Sequence, residues 1–408
     1  MNKVLYISYD GMTDPLGQSQ VIPYLQKLSE QGFQIHILSA EKQENFEERK
    51  DYIANLLQKS NIKWHYISYT KKPPVVSTIK DIRAMKKLAK KLHKINNFKI
   101  AHCRSYISAF AGMYLKNKFG VKFLFDMRGF YADERIDGNL WNIKNPVYNA
   151  VYRYFKKKEK QFLNHADYTI SLTYKAKDII HEFKNFDALP IEVIPCCADT
   201  SHFDFNKISS KEQNDLRKFL NLKDDDFVIC YLGSLGTWYM PDEMMQFFSL
   251  LLKKKPEAKF LFITRDNADL VFQLADKYDV PTDAVRVKPA HREDLPTLIS
   301  LCKASLFFIK PVFSKAASSP TKLAELLGMG IPVICNSGVG DIDKFVPENK
   351  LGILIDEINE VGFSKAIEQI DDLEKLSKKH LRQQVENLFS LELGAKRYAD
   401  VYNKLIEN

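Results

Sequence analysis

Near the end of the chain, a short run of residues combines the start of a helix with groups that bind anions. Ser319 is a suitable N-cap, and Pro320 suits the first helical position because its missing N–H is not needed there. The amides of residues 321–323 would then point outward, and the positive end of the helix dipole would reinforce them. Thr321 adds a hydroxyl and Lys322 a charge. The run therefore predicts a diphosphate site.

A carboxylate follows within the same predicted helix. Glu325 lies four residues after Thr321, which places it on the same helix face, directed toward the N-terminus. Because a carboxylate would repel a diphosphate, its expected partner is a neutral diol beside the phosphates, such as a nucleotide ribose. The alternative is an ordinary capped helix that carries a surface glutamate.

The elements that must position these residues follow a repeated strand–helix pattern. Short apolar runs alternate with longer amphipathic segments, first to about residue 194 and then again from about residue 227. The predicted strands are 4–8, 35–38, 64–68, 100–102, 123–125, 168–172 and 191–194, then 227–232, 259–264, 285–287, 304–309, 332–335 and 352–355. This pattern predicts two doubly wound, parallel α/β domains, with ligands at the carboxyl ends of the strands.

Length and charge fit two domains with different surfaces. A chain of 408 residues exceeds one typical core. Its first 200 residues carry a net charge of +12 and the remainder −3. Residues 71–94 hold nine basic residues and one acid, with apolar residues at helical spacing. This basic helix indicates either a contact with anionic lipid or a solvated helix, whereas no pattern typical of nucleic-acid binding is present.

The sequence argues against several classes of protein. A GxGxxG turn after a strand and a phosphate-binding GxxxxGK[ST] loop are both missing, which argues against dinucleotide-dependent oxidoreductases and P-loop enzymes. The six cysteines lack metal-ligand spacing and are expected to be reduced and buried. With no signal peptide and no long apolar segment, a cytoplasmic protein is expected.

Segments along nearly the whole chain resemble the GT-B glycosyltransferases, and within them the group usually called family 4. They are the loop at 10–20, the turn at 31–35, the long motif at 125–135, the segment between the two domains at 193–199, the glycine turn at 231–236 and the helix at 318–332. The resemblance implies an acceptor-binding domain (1–198), a nucleotide-sugar-binding domain (199–388) and a C-terminal helix (389–408) that crosses back onto the first, with the two Rossmann-like domains facing a cleft.

The resemblance also assigns donor-binding residues. They are Gly17, Gly233, Ser234, Ser318, Ser319, Thr321, Lys322 and Glu325, with His291 near the nucleotide base. Two features depart from the family pattern. Ala317 occupies the position of the first of two glutamates, and the usual Arg and Lys after the second-domain glycine are missing. Lys315, Lys310 and Arg265 are the cations that would compensate, unless they are simply solvated.

In the first domain, polar residues follow two neighbouring strands. Arg104 and Arg128 are candidates for phosphate or acceptor contact, and Asp126, Asp133 and Glu134 for orienting hydroxyls or acting as a base. The alternative is an ion-pair network that stabilises the loop. The resemblance implies a retaining reaction in which a leaving phosphate oxygen takes the acceptor proton, so no protein nucleophile, cofactor or metal is expected.

The resulting hypothesis is a glycosyltransferase of surface polysaccharide biosynthesis. It would move a sugar from a nucleotide-sugar, UDP- or GDP-linked, to a lipid-linked saccharide, in the cytoplasm or peripherally on the inner face of the plasma membrane. Two alternatives remain, namely a UDP-sugar epimerase of the same fold and a catalytically silent subunit that binds a partner, the latter suggested by Ala317.

Overall fold

The computed structural model describes residues 2–183, 185–186 and 188–407. The chain forms two compact units, one made of the residues up to Cys196 together with those from Leu391 onward, and one spanning Cys197–Ser390. The units divide within two residues of the boundaries that the sequence predicts at 198 and 388.

The first unit is a seven-stranded sheet with helices on both faces. Its strands are β1 (Lys3–Ser8), β2 (Gln34–Glu41), β3 (Lys63–Ser68), β4 (Ile100–Arg104), β5 (Lys122–Asp126), β6 (Tyr168–Ser171) and β7 (Ile191–Val193). Its helices are α1 (Pro15–Gln20), α2 (Ile22–Glu30), α3 (Gln43–Lys59), α4 (Val76–Asn96), α5 (Ser105–Phe119), α6 (Tyr131–Asp137), α7 (Pro146–His165), α8 (Tyr174–His181) and, from the end of the chain, the C-terminal helix, Leu391–Glu407.

The strand order in this unit is β3-β2-β1-β4-β5-β6-β7, and all pairs are parallel. The order reverses at β1, where Val4 pairs with Ile35 on one side and with Ile100 on the other. Because crossover connections are right-handed, the helices before and after this reversal cover opposite faces of the sheet. Helices α4, α5 and α7 therefore share one face, and α2 and α3 the other. The C-terminal helix packs on α2 and β4.

The second unit is a six-stranded parallel sheet with the order β10-β9-β8-β11-β12-β13. Its strands are β8 (Phe227–Leu232), β9 (Ala258–Ile263), β10 (Val285–Lys288), β11 (Ala304–Phe307), β12 (Val333–Asn336) and β13 (Gly352–Ile355). Its helices are α9 (Ser210–Phe219), α10 (Pro241–Lys254), α11 (Ala268–Lys277), α12 (Leu295–Ser300), α13 (Thr321–Gly328), α14 (Ile342–Glu348), α15 (Glu360–Glu368) and α16 (Lys378–Leu388), so the C-terminal helix is α17.

The predicted fold class, two doubly wound parallel α/β domains, is confirmed. Each predicted strand has a counterpart in one of the two sheets, with bounds that differ by a few residues. The central strands β1, β8 and β9 are buried along nearly their whole length because helices cover both faces of each sheet, whereas no residue of the edge strand β3 is fully buried. None of the helices in the described part of the chain has the length and apolar character that a membrane span requires.

Helix α17 is joined to the first sheet by buried hydrogen bonds as well as by packing. The hydroxyl of Tyr402 lies 2.7 Å from Nδ1 of His102 on β4, and the hydroxyl of Tyr398 donates to Oδ2 of Asp126 at 3.0 Å. All four side chains are buried. Since a buried polar group is costly without a partner, these bonds fix the position of the helix on the sheet.

Removing the hydroxyl of Tyr402 should destabilise the first unit. Tyr402→Phe leaves Nδ1 of His102 buried without its partner, and we expect the free energy of unfolding to fall by about 1–3 kcal/mol, measured by urea denaturation. Tyr52→Phe is the control, because Tyr52 is 58% exposed. Equal stability of the two variants would contradict a structural role for the hydroxyl.

Candidate functional site

The clearest unpaired charge in the second unit is Lys322, in the first turn of α13. Its side chain is buried, and its Nζ has no hydrogen-bond partner in the described part of the chain. The ammonium position lies 3.7 Å from the ring centre of Tyr239 and 4.3 Å from that of Tyr231. Burial lowers the pKa of Lys322 well below its ordinary value. The amine of Lys322 can therefore donate a hydrogen bond to a bound ligand.

Gly233, directly after β8, leaves the space next to this amine open. Its φ is +126°, a conformation that side chains rarely adopt, and a Cβ there would lie 3.2 Å from Nζ of Lys322. Ser234 follows and is exposed, while its carbonyl accepts a hydrogen bond from the hydroxyl of Tyr231. The backbone after β8 thus approaches the start of α13 closely, as a phosphate site requires.

The start of α13 differs by one residue from the prediction. Pro320 is the N-cap, with φ −67° and ψ 121°, and the helix begins at Thr321 rather than at Pro320. The amide of Leu323 donates to the carbonyl of Pro320 at 3.2 Å, so the prediction that it points outward is wrong. Thr321 and Lys322 supply the first helical amides, preceded by the half-buried Ser318 and Ser319.

Glu325 is not a solvated surface residue. It is 8% exposed, and its Oε1 accepts a hydrogen bond from Nη1 of Arg292 at 3.3 Å. Burial raises the pKa of Glu325, and the guanidinium of Arg292 opposes that rise. Arg292 in turn lies 5.2 Å from the ring centre of Phe203. Sequence reasoning missed Arg292, because a separation of 33 residues gives no local pattern; its position next to His291 was the available signal.

Arg265 and His291 lie together, as the ends of adjacent strands allow. Arg265 follows β9 and His291 follows β10, and Nη2 of Arg265 is 3.2 Å from Nδ1 of His291. Nε of Arg265 also donates to the carbonyl of Ala290 at 3.1 Å. Both side chains are exposed. They are therefore accessible for contact with a bound nucleotide, and that role stays a prediction.

The short helical turn Phe313–Ala317 leads into this site and contains the residues that depart from the family pattern. Ala317 is buried. Lys315 is buried too, with its Nζ 3.6 Å from the ring centre of Trp238. Ser234 and the segment 237–239 stand where the resemblance predicts an Arg and a Lys, and within that segment Trp238 and Tyr239 contact lysine side chains. Aromatic faces stabilise nearby cations. Two lysines therefore lie close to the edge of the sheet where the resemblance predicts an Arg and a Lys that bind the diphosphate.

In the first unit, Asp126 lies inside a closed network. It is 1% exposed, and its Oδ2 lies 3.4 Å from Nε2 of His102 in addition to its bond with Tyr398. Its Oδ1 is 3.9 Å from Nη1 of Arg128. Burial disfavours the carboxylate, but Arg128, His102 and Arg104 hold its pKa below the usual range. These contacts fit the alternative given in the sequence analysis, in which the residue belongs to an ion-pair network that stabilises the loop. A catalytic role for Asp126 stays a prediction.

The other first-unit candidates surround this network. Arg128 has a φ of +60° and is followed by Gly129 at +130°, an unusual backbone directly after β5. Its Nη2 lies 3.4 Å from Sγ of Cys196. Arg104 is 4% exposed and donates through Nε to Oδ2 of Asp10 at 3.1 Å. Glu134 lies half-buried in the first turn of α6. The structure thus brings Arg104, Asp126 and Arg128 together at one sheet edge.

Asp133, by contrast, is tied to α7. Its two carboxylate oxygens accept from Tyr152 at 2.9 Å and from Lys156 at 2.7 Å. Those bonds attach α6 to α7, as in the alternative of a loop-stabilising network.

Gly17 has a structural reason to be glycine. A Cβ there would lie 2.2 Å from the carbonyl oxygen of Gly11, so α1 could not pack on the loop after β1. Glu41, at the end of β2, holds the same loop because its carboxylate accepts from the amides of Met12 and Thr13 at 2.8 and 3.2 Å. Sequence reasoning missed Glu41, which is 3% exposed. A donor contact of Gly17 stays a prediction.

Comparison with known proteins follows the division into two units. Residues 19–202 match the family described as Glycosyltransferase Family 4, and residues 212–387 match Glycosyl transferases group 1. No curated protein sequence matches the chain significantly.

Solved structures share the fold across the whole chain at low sequence identity. A glycosyltransferase from Rickettsia africae has a TM-score of 0.74 at 16% identity, over 100% of this chain and 99% of that one. The HepE protein of Anabaena in complex with UDP-glucose gives 0.66 at 12% identity, over 99% and 100%. The UDP-GlcNAc 2-epimerase of Neisseria meningitidis bound to UDP-GlcNAc gives 0.60 at 12% identity, over 100% of both chains. With both family matches along one chain, this protein belongs to the GT-B glycosyltransferases of the family 4 type.

Proposed function

We propose that this glycosyltransferase moves a sugar from a nucleotide-sugar donor to a lipid-linked saccharide in surface polysaccharide biosynthesis. The observation that carries the donor part is the buried Nζ of Lys322, which lacks a hydrogen-bond partner within the described residues and lies beside Gly233. A diphosphate between that amine and the first amides of α13 would supply the missing partner and meet the positive end of the helix dipole.

The nucleoside would bind next to the diphosphate. In this proposal Glu325, held by Arg292, accepts hydrogen bonds from a ribose, and Arg265 and His291 contact the base. A UDP- or GDP-linked sugar is the proposed donor, and the complexes of the similar HepE and epimerase structures with UDP-glucose and UDP-GlcNAc favour UDP.

The proposed chemistry depends on stabilising the leaving group. Lys322, Lys315 and the start of α13 would neutralise the charge that develops on the departing diphosphate, which is the main task in this reaction. With these cations in place, we propose that transfer needs no metal. The proposed reaction proceeds with retention, and a diphosphate oxygen takes the proton of the acceptor hydroxyl, so no side chain acts as nucleophile.

The first unit is the proposed acceptor side. Arg104, Arg128 and Glu134 would contact the acceptor from the carboxyl edge of the sheet, and Asp126 would orient Arg128. For a lipid-linked acceptor, the enzyme would work in the cytoplasm on the inner face of the plasma membrane. The basic helix α4 within residues 71–94 is the proposed contact with anionic lipid.

Donor turnover tests the proposed function against its alternatives. In a screen of UDP-, GDP-, CMP- and dTDP-sugars, we expect one donor to raise the thermal unfolding temperature and to be consumed with release of free nucleotide. Consumption should persist in the presence of EDTA. Interconversion of a free UDP-sugar without nucleotide release would indicate an epimerase, and binding without turnover would indicate a silent subunit.

Glu325→Ala should weaken binding of UDP by about 1–3 kcal/mol, because a buried carboxylate would no longer accept from the ribose. The measurement is calorimetric titration with UDP and, separately, with inorganic pyrophosphate. A ribose contact predicts loss with UDP only. Equal loss with both ligands would contradict that contact and indicate that the variant disturbs the diphosphate site.

Binding of a nucleoside diphosphate should be accompanied by proton uptake at Lys322. The pKa of this amine is depressed in the empty site and should rise when the diphosphate binds. The complex then holds more protons than the free enzyme between these two pKa values, so affinity should fall as pH rises through that window.

Calorimetry of UDP binding in buffers of different ionisation enthalpy measures this uptake directly. Lys322→Met should abolish the uptake and weaken binding by about 1.5–3 kcal/mol. Lys253→Met is the control, since Lys253 is exposed in the last turn of α10, at the opposite end of that helix from the carboxyl edge of the sheet. Unchanged proton uptake in Lys322→Met would count against the assignment.

A further inference from the structure

The outer surface of three neighbouring helices in the first unit carries charge of one sign. We call the face formed by α4, α5 and α7 the basic face. Seven lysines and arginines lie on α4, two on α5 and five on α7, whereas each of α4 and α7 contains one acid and α5 contains none. The sequence indicated only the first of these helices.

Both acids of the basic face point inward. Asp81 on α4 is 2% exposed and accepts from the hydroxyl of Tyr9 at 2.8 Å and the amide of Thr70 at 3.0 Å. Glu159 on α7 is 1% exposed and accepts from Tyr106 and, at 2.6 Å, from Lys156. Asp81 therefore offsets none of the basic residues counted above, and Glu159 offsets Lys156 alone. Lys116 on α5 pairs with Asp167, and most of the other basic residues of the three helices keep their charge uncompensated within the described residues.

Two lysines from different helices converge over one aromatic residue. Nζ of Lys86 on α4 lies 5.5 Å from the ring centre of Phe110 on α5, and Nζ of Lys158 on α7 lies 5.6 Å from the same centre. Tyr154 stacks on Phe110 with ring centres 6.2 Å apart and is 48% exposed. Lys158 also lies 5.6 Å from the ring centre of Tyr154.

This pair of lysines lacks a compensating anion. Within the described residues neither forms an ion pair, and Lys158 donates to the neutral Gln161 at 2.8 Å. Partial burial lowers the pKa of Lys86, and the nearby charge of Lys158 lowers it further. Two like charges side by side raise the free energy of the empty protein, so an anion between them would be stabilised.

Exposed apolar residues lie at the same edge of both outer helices. Val76 and Ile79 at the start of α4 are 61% and 44% exposed. Leu140 and Ile143 before α7 are 58% and 43% exposed, and Val147 in its first turn is 61% exposed. In a parallel sheet the helices start at the carboxyl edge of the strands, so these side chains border the edge where ligands bind.

We infer that Lys86, Lys158 and Tyr154 form a binding position for the headgroup phosphate of an anionic phospholipid, within a basic face that lies on the bilayer surface. The inference rests on the proposed function, because a lipid-linked acceptor requires the enzyme to work at a membrane surface. Basic side chains flanked by exposed apolar ones are typical of a membrane interface, where headgroup charge and acyl chains are both within reach. Nucleic acid fits less well, because Tyr154 is the single strongly exposed aromatic within the described residues of α4, α5 and α7, whereas a single-strand site stacks successive bases on several aromatic residues.

Vesicle co-sedimentation of the full chain tests this inference. The lipids are phosphatidylcholine alone and phosphatidylcholine with phosphatidylglycerol. Wild type should bind only the anionic vesicles. Lys86→Gln combined with Lys158→Gln should weaken that binding by about 30-fold, as expected for two basic residues worth about 1 kcal/mol each near the surface.

The matched control is Lys50→Gln combined with Lys59→Gln on α3. This pair removes the same charge from the opposite face of the sheet, and Lys50 also lies over a ring, 5.4 Å from the centre of Phe46. The control should retain most of the wild-type binding. Equal weakening in both variants would overturn the inference, since net charge alone would then explain it. Stronger binding to duplex DNA than to anionic vesicles at the same ionic strength would overturn it as well.

A third variant separates this inference from the proposed function. Lys87→Gln combined with Lys91→Gln removes two exposed charges from α4 alone. If it weakens vesicle binding while the Lys86 and Lys158 pair does not, the phosphate position is wrong and the membrane contact of α4 stands. If wild type fails to bind anionic vesicles, both are wrong. Thermal unfolding of each variant, expected to match wild type, shows whether lost binding reflects lost folding.

Discussion

Parallel pairing of every strand with its sheet neighbours is the constraint on which both units depend. A parallel connection must cross the sheet through a helix, so each strand ends, and each helix begins, at the same edge. Gly233 after β8, Arg265 after β9, His291 after β10 and the start of α13 share such an edge in the second unit. In the first unit, Arg104 and Asp126 are register partners at the ends of β4 and β5.

The buried ionisable groups of the two units have different surroundings. Asp126 in the first unit lies beside Arg128 and His102 and accepts a hydrogen bond from Tyr398 of the C-terminal helix, although its Oδ1 has no hydrogen-bond partner among the described residues. Lys322 in the second unit has aromatic rings around it but no hydrogen-bond partner among the described residues. Countercharges and a hydrogen bond stabilise the buried carboxylate of Asp126, whereas a buried amine with no hydrogen bond is retained at a cost that a ligand can remove. That contrast is the physical reason for placing the donor diphosphate at Lys322.

The departures from the family pattern have a common physical effect. Where the family has an Arg and a Lys after the glycine of the second domain, this chain has Ser234 and the segment 237–239. The rings of Trp238 and Tyr239 in that segment contact Lys315 and Lys322. The positive charge is supplied by the segment entering α13 instead of by the loop after β8. Cation–π contacts hold both lysine heads beside these rings. At the position of the first family glutamate this chain has the buried Ala317, so a diphosphate at the proposed donor site would meet one carboxylate fewer.

The strands, the two parallel domains and the family could be predicted from the sequence, as could the start of the helix proposed to bind an anion, because apolar periodicity, caps and glycine turns act over a few residues. The spacing also placed Thr321 and Glu325 on one helix face. Only the tertiary structure decided which charges are satisfied. Arg292 reaches Glu325 from 33 residues away, Glu41 holds the loop of Gly11, and Lys158 joins Lys86 over Phe110. Such contacts depend on how helices pack across a sheet. Asp81 and Glu159 point inward, so most of the positive charge of the basic face is not compensated. Their orientation depends on burial, which local spacing does not encode.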